Sequence, residues 1–234
     1  MEPQFKKFEK KLGFTFNDSQ LLMQAFTHRS YINENPGVAW HHNERLEFLG
    51  DAVLELVTTK HLFEKYPKRP EGELTAFRAA LVNTQSISAA AKEWGMNDFL
   101  LLSKGEAKDE NTKARDYILA NTFEAVIGSI YLDQGYDVAG DFIEKSLFGK
   151  LDEIVEQSLW RDAKSWVQEE SQEHMGVTPT YKVLSAQGPD HDKDFVIGIY
   201  FDDVLIAKGE GKSKQEAQQD AATKALTKKG WAKK

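Results

Sequence analysis

Residues 43–56 read Asn-Glu-Arg-Leu-Glu-Phe-Leu-Gly-Asp-Ala-Val-Leu-Glu-Leu. Leu46, Leu49, Val53 and Leu56 recur at helical spacing, which predicts a helix turned toward a core. Glu44, Glu47 and Asp51 fall at steps of three and four, so a helix lines their carboxylates along one face. Three acids on a largely apolar helix repel one another and lose hydration. A solvated acidic face is the ordinary reading of such a row. Gly50 argues for another: mid-helix it costs about 1 kcal/mol against alanine, and it lets a second backbone come close. Acids interleaved with core positions around such a glycine predict a metal site built between packed helices.

The 234 residues suffice for one large domain or two small ones, and 41% hydrophobic content with five tryptophans provides a core. No apolar run approaches the 18 residues or so of a membrane span. The N-terminal Met1–Phe14 lacks the apolar centre of a signal peptide. With no cysteine, disulfides, thiolate metal sites and thiol catalysis are excluded. Cytoplasmic residence is expected. Residues 1–159 hold 18 basic and 25 acidic residues, the whole of the net charge of −7, while residues 160–234 hold 12 of each. An acidic front half suits a cation-dependent domain, and a balanced back half can still carry a local basic patch.

Hydrophobic periodicity and breakers predict helices over 3–12 and 18–27, with Asn17 or Asp18 as N-cap and Thr27-His28-Arg29-Ser30-Tyr31 closing the second. Residues 31–42 read as a loop. A long helix from Glu44 to Tyr66 ends at Pro67 and Pro70. One helix is expected from Glu71 to about Trp94, a loop with a helical turn over 95–110, and helices over 112–131 and 138–157. The character changes near 156–162. Asp162 reads as the N-cap of a helix through Glu173. Strands follow at 180–184, 194–200 and 204–209, then a helix over 213–228.

Asn121 and Glu124 stand three apart in Ile-Leu-Ala-Asn-Thr-Phe-Glu (118–124). With Glu47 and Asp51 they form a candidate oxygen-rich cluster, which suits the hard ions Mg²⁺ or Mn²⁺. The six histidines show no zinc-like spacing and are assigned structural roles.

The nine-residue stretch Asn43–Asp51 resembles the signature of the ribonuclease III family. Thr27–Tyr31, Glu71-Gly72-Glu73 followed by Arg78–Val82, and residues 118–133 agree with it, and the likeness covers the whole chain. The resemblance implies a multidomain protein: an all-α endonuclease domain at 3–157, followed by an α+β (α-β-β-β-α) double-stranded-RNA-binding domain at 162–230. It implies a homodimer that cuts double-stranded RNA, leaves 5′-phosphates and 3′-hydroxyls, and serves rRNA and mRNA processing. It places Glu47, Asp51, Asn121 and Glu124 at the metal, with Asp51 and Glu124 catalytic and Glu44 and Glu71 as supporting acids. A pair of Mg²⁺ ions roughly 4 Å apart would both make hydroxide and clamp the developing charge, and Mn²⁺ is expected to substitute.

The chain departs from the family at Asn121, where aspartate is usual. An amide oxygen still coordinates a hard cation but brings no charge, so weaker binding of a second ion is expected. A protein that binds duplex RNA without cutting it is the rival reading; a hydrolase of small phosphates is a third, and it leaves the C-terminal region unexplained. In that region the resemblance assigns Ser165, Gln168, Glu169 and Gln172 to ribose 2′-hydroxyls, His191 in the 188–191 turn to the next minor groove, and Lys212 and Lys214 to phosphates. Free N–H groups at the start of the last helix are expected to favour anions too. Gln215 and Gln218 thin the basic patch, and Lys228, Lys229, Lys233 and Lys234 are candidates to compensate. Gly209-x-Gly211 reads as an ordinary turn, and Trp166 and Val167 as core.

Overall fold

The computed structural model describes residues 3–108, 112–156, 160–189 and 193–231. The chain divides into two compact units, Met1–Ile154 and Val155–Lys234. The first is helical: α1 (Pro3–Leu12), α2 (Ser19–Ala25), α3 (Arg29–Glu34), α4 (Glu44–Lys65), α5 (Glu71–Leu81), α6 (Thr84–Glu93), α7 (Lys113–Gln134) and α8 (Tyr136–Leu147). A further helix, α9 (Leu151–Glu156), runs across the boundary. Phe5, Phe8, Phe26, Phe77 and Phe123 are fully buried. Phe8 meets Phe26 edge-on at 4.9 Å, and Phe123 lies 5.3 Å from Phe142.

Three departures from the sequence reading have local causes. The expected loop over 31–42 begins with α3, because His28 caps it: its side chain accepts from the Ser30 N–H. Histidine is not among the favoured capping residues, so the start carries no sequence signal. The single helix expected over 71–94 is two. Asn83 both ends α5, donating to the Ala80 carbonyl at 2.8 Å, and starts α6, accepting from the Ser86 N–H at 2.9 Å. The helix expected over 138–157 starts at Tyr136 and breaks into a 3-10 turn at Phe148–Lys150; residue 157 lies outside the described residues. Asp18, not Asn17, caps α2.

The second unit is α10 (Ala163–Met175), β1 (Thr180–Gln187), β2 (Asp194–Phe201), β3 (Val204–Gly211) and α11 (Lys214–Lys229). The strands form one antiparallel sheet in the order β1-β2-β3, with Lys182, Gly198 and Lys208 in one row. Trp166, Val167, Ile199, Phe201, Ala221 and Leu226 build its core. Gly209 and Gly211 are not turn residues but lie in β3, where a Cβ on either would run into the backbone of α11. They bring strand and helix together.

Candidate active site and nucleic-acid interface

α4 and α7 share the most extensive packing in the helical unit. The reason sits at their crossing. A Cβ on Gly50 would overlap the backbone carbonyl of Glu124 and lie 2.9 Å from the Gly128 nitrogen. A Cβ on Gly128 would overlap the Leu46 carbonyl and lie 3.1 Å from the Gly50 nitrogen. Two glycines thus let two helix backbones touch, and this contact gathers side chains from stretches far apart in sequence.

The acids on either side respond to one another. Burial pushes the Glu124 carboxyl up to about 7, with Asp51 and then Glu47 adding to the rise. Glu47 is raised by burial, then by Glu44 and Asp51, while a hydrogen bond from the Asn121 side chain opposes the shift. Glu47, Asp51, Asn121 and Glu124 are therefore one interacting group. Of the two acids expected to support the site, Glu44 is exposed and lies 3.8 Å from both Arg29 and His42. Glu71 is exposed in the first turn of α5 and accepts from Thr75 at 3.1 Å. It is not among the groups that shift Glu47 or Glu124.

Leu46 and Val53 are buried as expected, but Leu56 is 58% exposed, beside Phe48 at 81% and Phe63 at 71%. The helical period puts these three on one side of α4, so the apolar positions of this helix divide between core and surface.

The donor set fits a hard divalent cation. Three carboxylates and an amide oxygen are hard ligands, and every influence on Glu124 disfavours its charge, which a cation reverses. Among the described residues no three His, Asp or Glu side chains stand close enough together to hold a metal ion.

One arrangement had no sequence signal. Glu55 extends the acidic row one turn past Asp51, and Arg78 of α5 holds it at 2.7 Å while donating to Thr59, also at 2.7 Å. Arg78 is thus spent on α4, and Glu55 is neutralised.

In the second unit, Ser165, Gln168, Glu169 and Gln172 line one shallow groove of about 400 Å³ along α10. The Ser165 hydroxyl donates to the N-cap Asp162 at 2.9 Å, and Gln172 accepts from Thr178 at 3.2 Å. Glu169 pairs with Arg161 at 2.8 Å. Lys214 is exposed, and Lys212 lies 3.0 Å from Asp194. At the start of α11 the N-cap Ser213 accepts from the Glu216 N–H, and the Glu216 carboxylate accepts from the Lys212 N–H at 2.8 Å. Lys228 donates to the Ile206 carbonyl, and Lys229 lies over Phe201, so neither is a loose basic tail. His191, Lys233 and Lys234 lie outside the described residues.

Comparison with known proteins agrees with both units. A family model described as Ribonuclease-III-like matches residues 18–151, and the Double-stranded RNA binding motif matches residues 163–229. Ribonuclease 3 of a Nitratiruptor species is 42% identical over 223 residues, spanning 95% of this chain and 96% of that one. Ribonuclease 3 of a Bacillus cereus strain is 44% identical over 224 residues, spanning 96% and 91%. The solved nuclease domain of ribonuclease III from Campylobacter jejuni, which has a region involved in dimer formation, aligns with a TM-score of 0.54 at 40% identity. It covers 61% of this chain and 97% of that one. No helix among the described residues is long and apolar enough to cross a membrane. With one family model on the helical unit, another on the sheet-containing unit and relatives matching nearly end to end, the chain belongs to the ribonuclease III family.

Proposed function

We propose that this protein is a divalent-metal-dependent endoribonuclease that hydrolyses double-stranded RNA, with residues 3–157 as nuclease domain and 162–230 as RNA-binding domain. The observation that carries the reading is the glycine crossing of α4 and α7, which sets Glu124 against Asp51 and Glu47. Glu47, Asp51, Asn121 and Glu124 would hold Mg²⁺, or Mn²⁺ in its place, with Glu44 and Glu71 as supporting acids. Bound cations supply hydroxide at neutral pH and offset charge building on the phosphate.

The chain's own residues do the rest. Asp51 and Glu124 orient the attacking water, and Asn121 keeps Glu47 turned into the group. Water adds across the phosphodiester: its oxygen joins phosphorus, and the 3′ oxygen departs and takes up a proton. Products carry 5′-phosphate and 3′-hydroxyl ends. Ser165, Gln168, Glu169 and Gln172 accept and donate at ribose hydroxyls, His191 enters the neighbouring minor groove, and Lys212 and Lys214 meet phosphates. The exposed stripe Phe48, Leu56 and Phe63 supports homodimerisation through the nuclease domain, since apolar patches of this kind mark interfaces. A dimer carries two sites, one for each strand. Processing of rRNA and mRNA precursors in the cytoplasm is the setting that goes with this activity.

The test is a long RNA duplex incubated with the protein in Mg²⁺, then in Mn²⁺, and resolved on a gel. Short duplexes with 5′-phosphate ends are expected. A retarded but intact duplex in both ions would mean a binding protein without turnover.

A further inference from the structure

Arg161 sits just ahead of the Asp162 cap, and nothing in the sequence singles it out. Its Nη2 lies 2.8 Å from Glu169 Oε2. Its guanidinium carbon stands 4.7 Å from the ring centre of Trp166 and 5.7 Å from that of Trp160. Trp166 is a fixed platform: it is part of the core of the second unit, and its Nε1 donates to Glu170 at 2.9 Å. The Arg161 side chain is only 29% exposed, while that of Glu169 is 65% exposed. A largely covered cation, seated on a core tryptophan, therefore holds a carboxylate that is exposed in the groove of Ser165, Gln168 and Gln172.

That arrangement answers two problems a carboxylate meets beside a nucleic acid. A bare carboxylate repels phosphates, and a neighbouring guanidinium cancels the repulsion. An exposed glutamate also samples many rotamers, and fixing one oxygen leaves the other aimed. A carboxylate oxygen accepts from a hydroxyl, which the RNA minor groove offers as ribose 2′-OH and DNA lacks.

We propose that Arg161 is a positioning residue for duplex recognition: seated on Trp166, it neutralises Glu169 and fixes Oε1 as the acceptor for a 2′-hydroxyl. Arg161 thereby sets the preference for RNA over DNA. The proposal rests on reading the α10 face as the RNA-contacting one.

The experiment measures binding of the full chain, in EDTA to prevent cleavage, to an RNA duplex of about 20 base pairs, somewhat longer than one domain spans, and to the DNA duplex of the same sequence. Wild type is expected to favour RNA. Arg161→Met keeps an apolar stem on Trp166 and removes the charge. It is expected to weaken RNA binding about tenfold, the scale of one charge-assisted hydrogen bond, and to leave DNA binding nearly unchanged. Arg161→Lys retains most of the preference. In a Glu169→Ala background, Arg161→Met has no further effect, because its influence runs through Glu169.

A wild type that binds both duplexes alike overturns the reading of the α10 face, and the proposal with it. A discriminating wild type with an equally discriminating Arg161→Met overturns the proposal alone. So does equal loss on both duplexes with a salt slope reduced by about 1, which marks a direct phosphate contact. If Arg161→Met loses its melting transition, Arg161→Lys and Glu169→Ala decide: the first should keep the preference and the second reduce it about tenfold, and the reverse overturns the proposal.

Discussion

Gly50 lies against the backbone of Glu124 so closely that a methyl group on Gly50 would overlap the Glu124 carbonyl. The nearest atoms are backbone, which cannot swing aside. Gly50→Ala must push α4 and α7 apart, and it is expected to cost about 3 kcal/mol of stability, the upper range for overpacking. Equilibrium unfolding in urea measures this. Cleavage should fall further than stability alone explains, because the same shift separates Asp51 from Glu124. A variant of wild-type stability would mean that the helices do not touch there.

The Glu124 carboxyl, lifted from 4.5 to about 7 by burial, then Asp51, then Glu47, makes the metal-free protein sensitive to pH. Between these values the native state holds a proton that the unfolded chain has released. This group's contribution to stability is therefore fully present below about 4.5 and declines as pH rises toward about 7. Melting temperature measured in EDTA should show that fall. Glu124→Gln, which cannot ionise, should flatten it, and saturating Mg²⁺ should raise the melting temperature of wild type above about pH 7. A decline of equal size in Glu124→Gln would assign the effect elsewhere.

Asn121 contributes a hydrogen bond to Glu47 but no charge. Asn121→Asp adds a fourth carboxylate to the group and removes that donor. The gain in charge dominates near a divalent ion, so the Mg²⁺ concentration for half-maximal cleavage should drop about tenfold, the usual scale for perturbing a metal's surroundings. A Mg²⁺ titration of cleavage rate reads this directly. An unchanged titration would remove Asn121 from any account of metal demand.

Leu56 and Phe63 are 58% and 71% exposed on the side of α4 that also carries Phe48. Leu56→Lys with Phe63→Lys should convert a dimer to a monomer by light scattering, with little loss of monomer stability because neither side chain is in the core. A wild type that is already monomeric at micromolar concentration would contradict the dimer.

The acidic helix is legible in the sequence because its period is regular and Gly50 has no local purpose there. The α-β-β-β-α order of the second unit is legible from its alternating strands. Other features depend on distances that sequence does not carry. Asn83 ends one helix and starts the next within an unbroken helical pattern, so only its two hydrogen bonds reveal the break. Leu56 shares the spacing of Leu46 and Val53 but faces outward, since a helix this apolar can serve two surfaces. Arg161 and Glu169 are eight positions apart across a helix start, outside the three- and four-residue steps that flag pairs on a helix. The height of the Glu124 pKa is set by burial at a crossing formed with residues far along the chain.

The central claim is that Glu124, held against Asp51, serves cleavage rather than RNA binding. Single-turnover cleavage of a labelled RNA duplex by Glu124→Gln, alongside its affinity for the same duplex, tests this most directly. Cleavage is expected to fall by at least about a thousandfold, with affinity within a few-fold of wild type. Cleavage near the wild-type rate, or cleavage and binding lost in proportion, would contradict it.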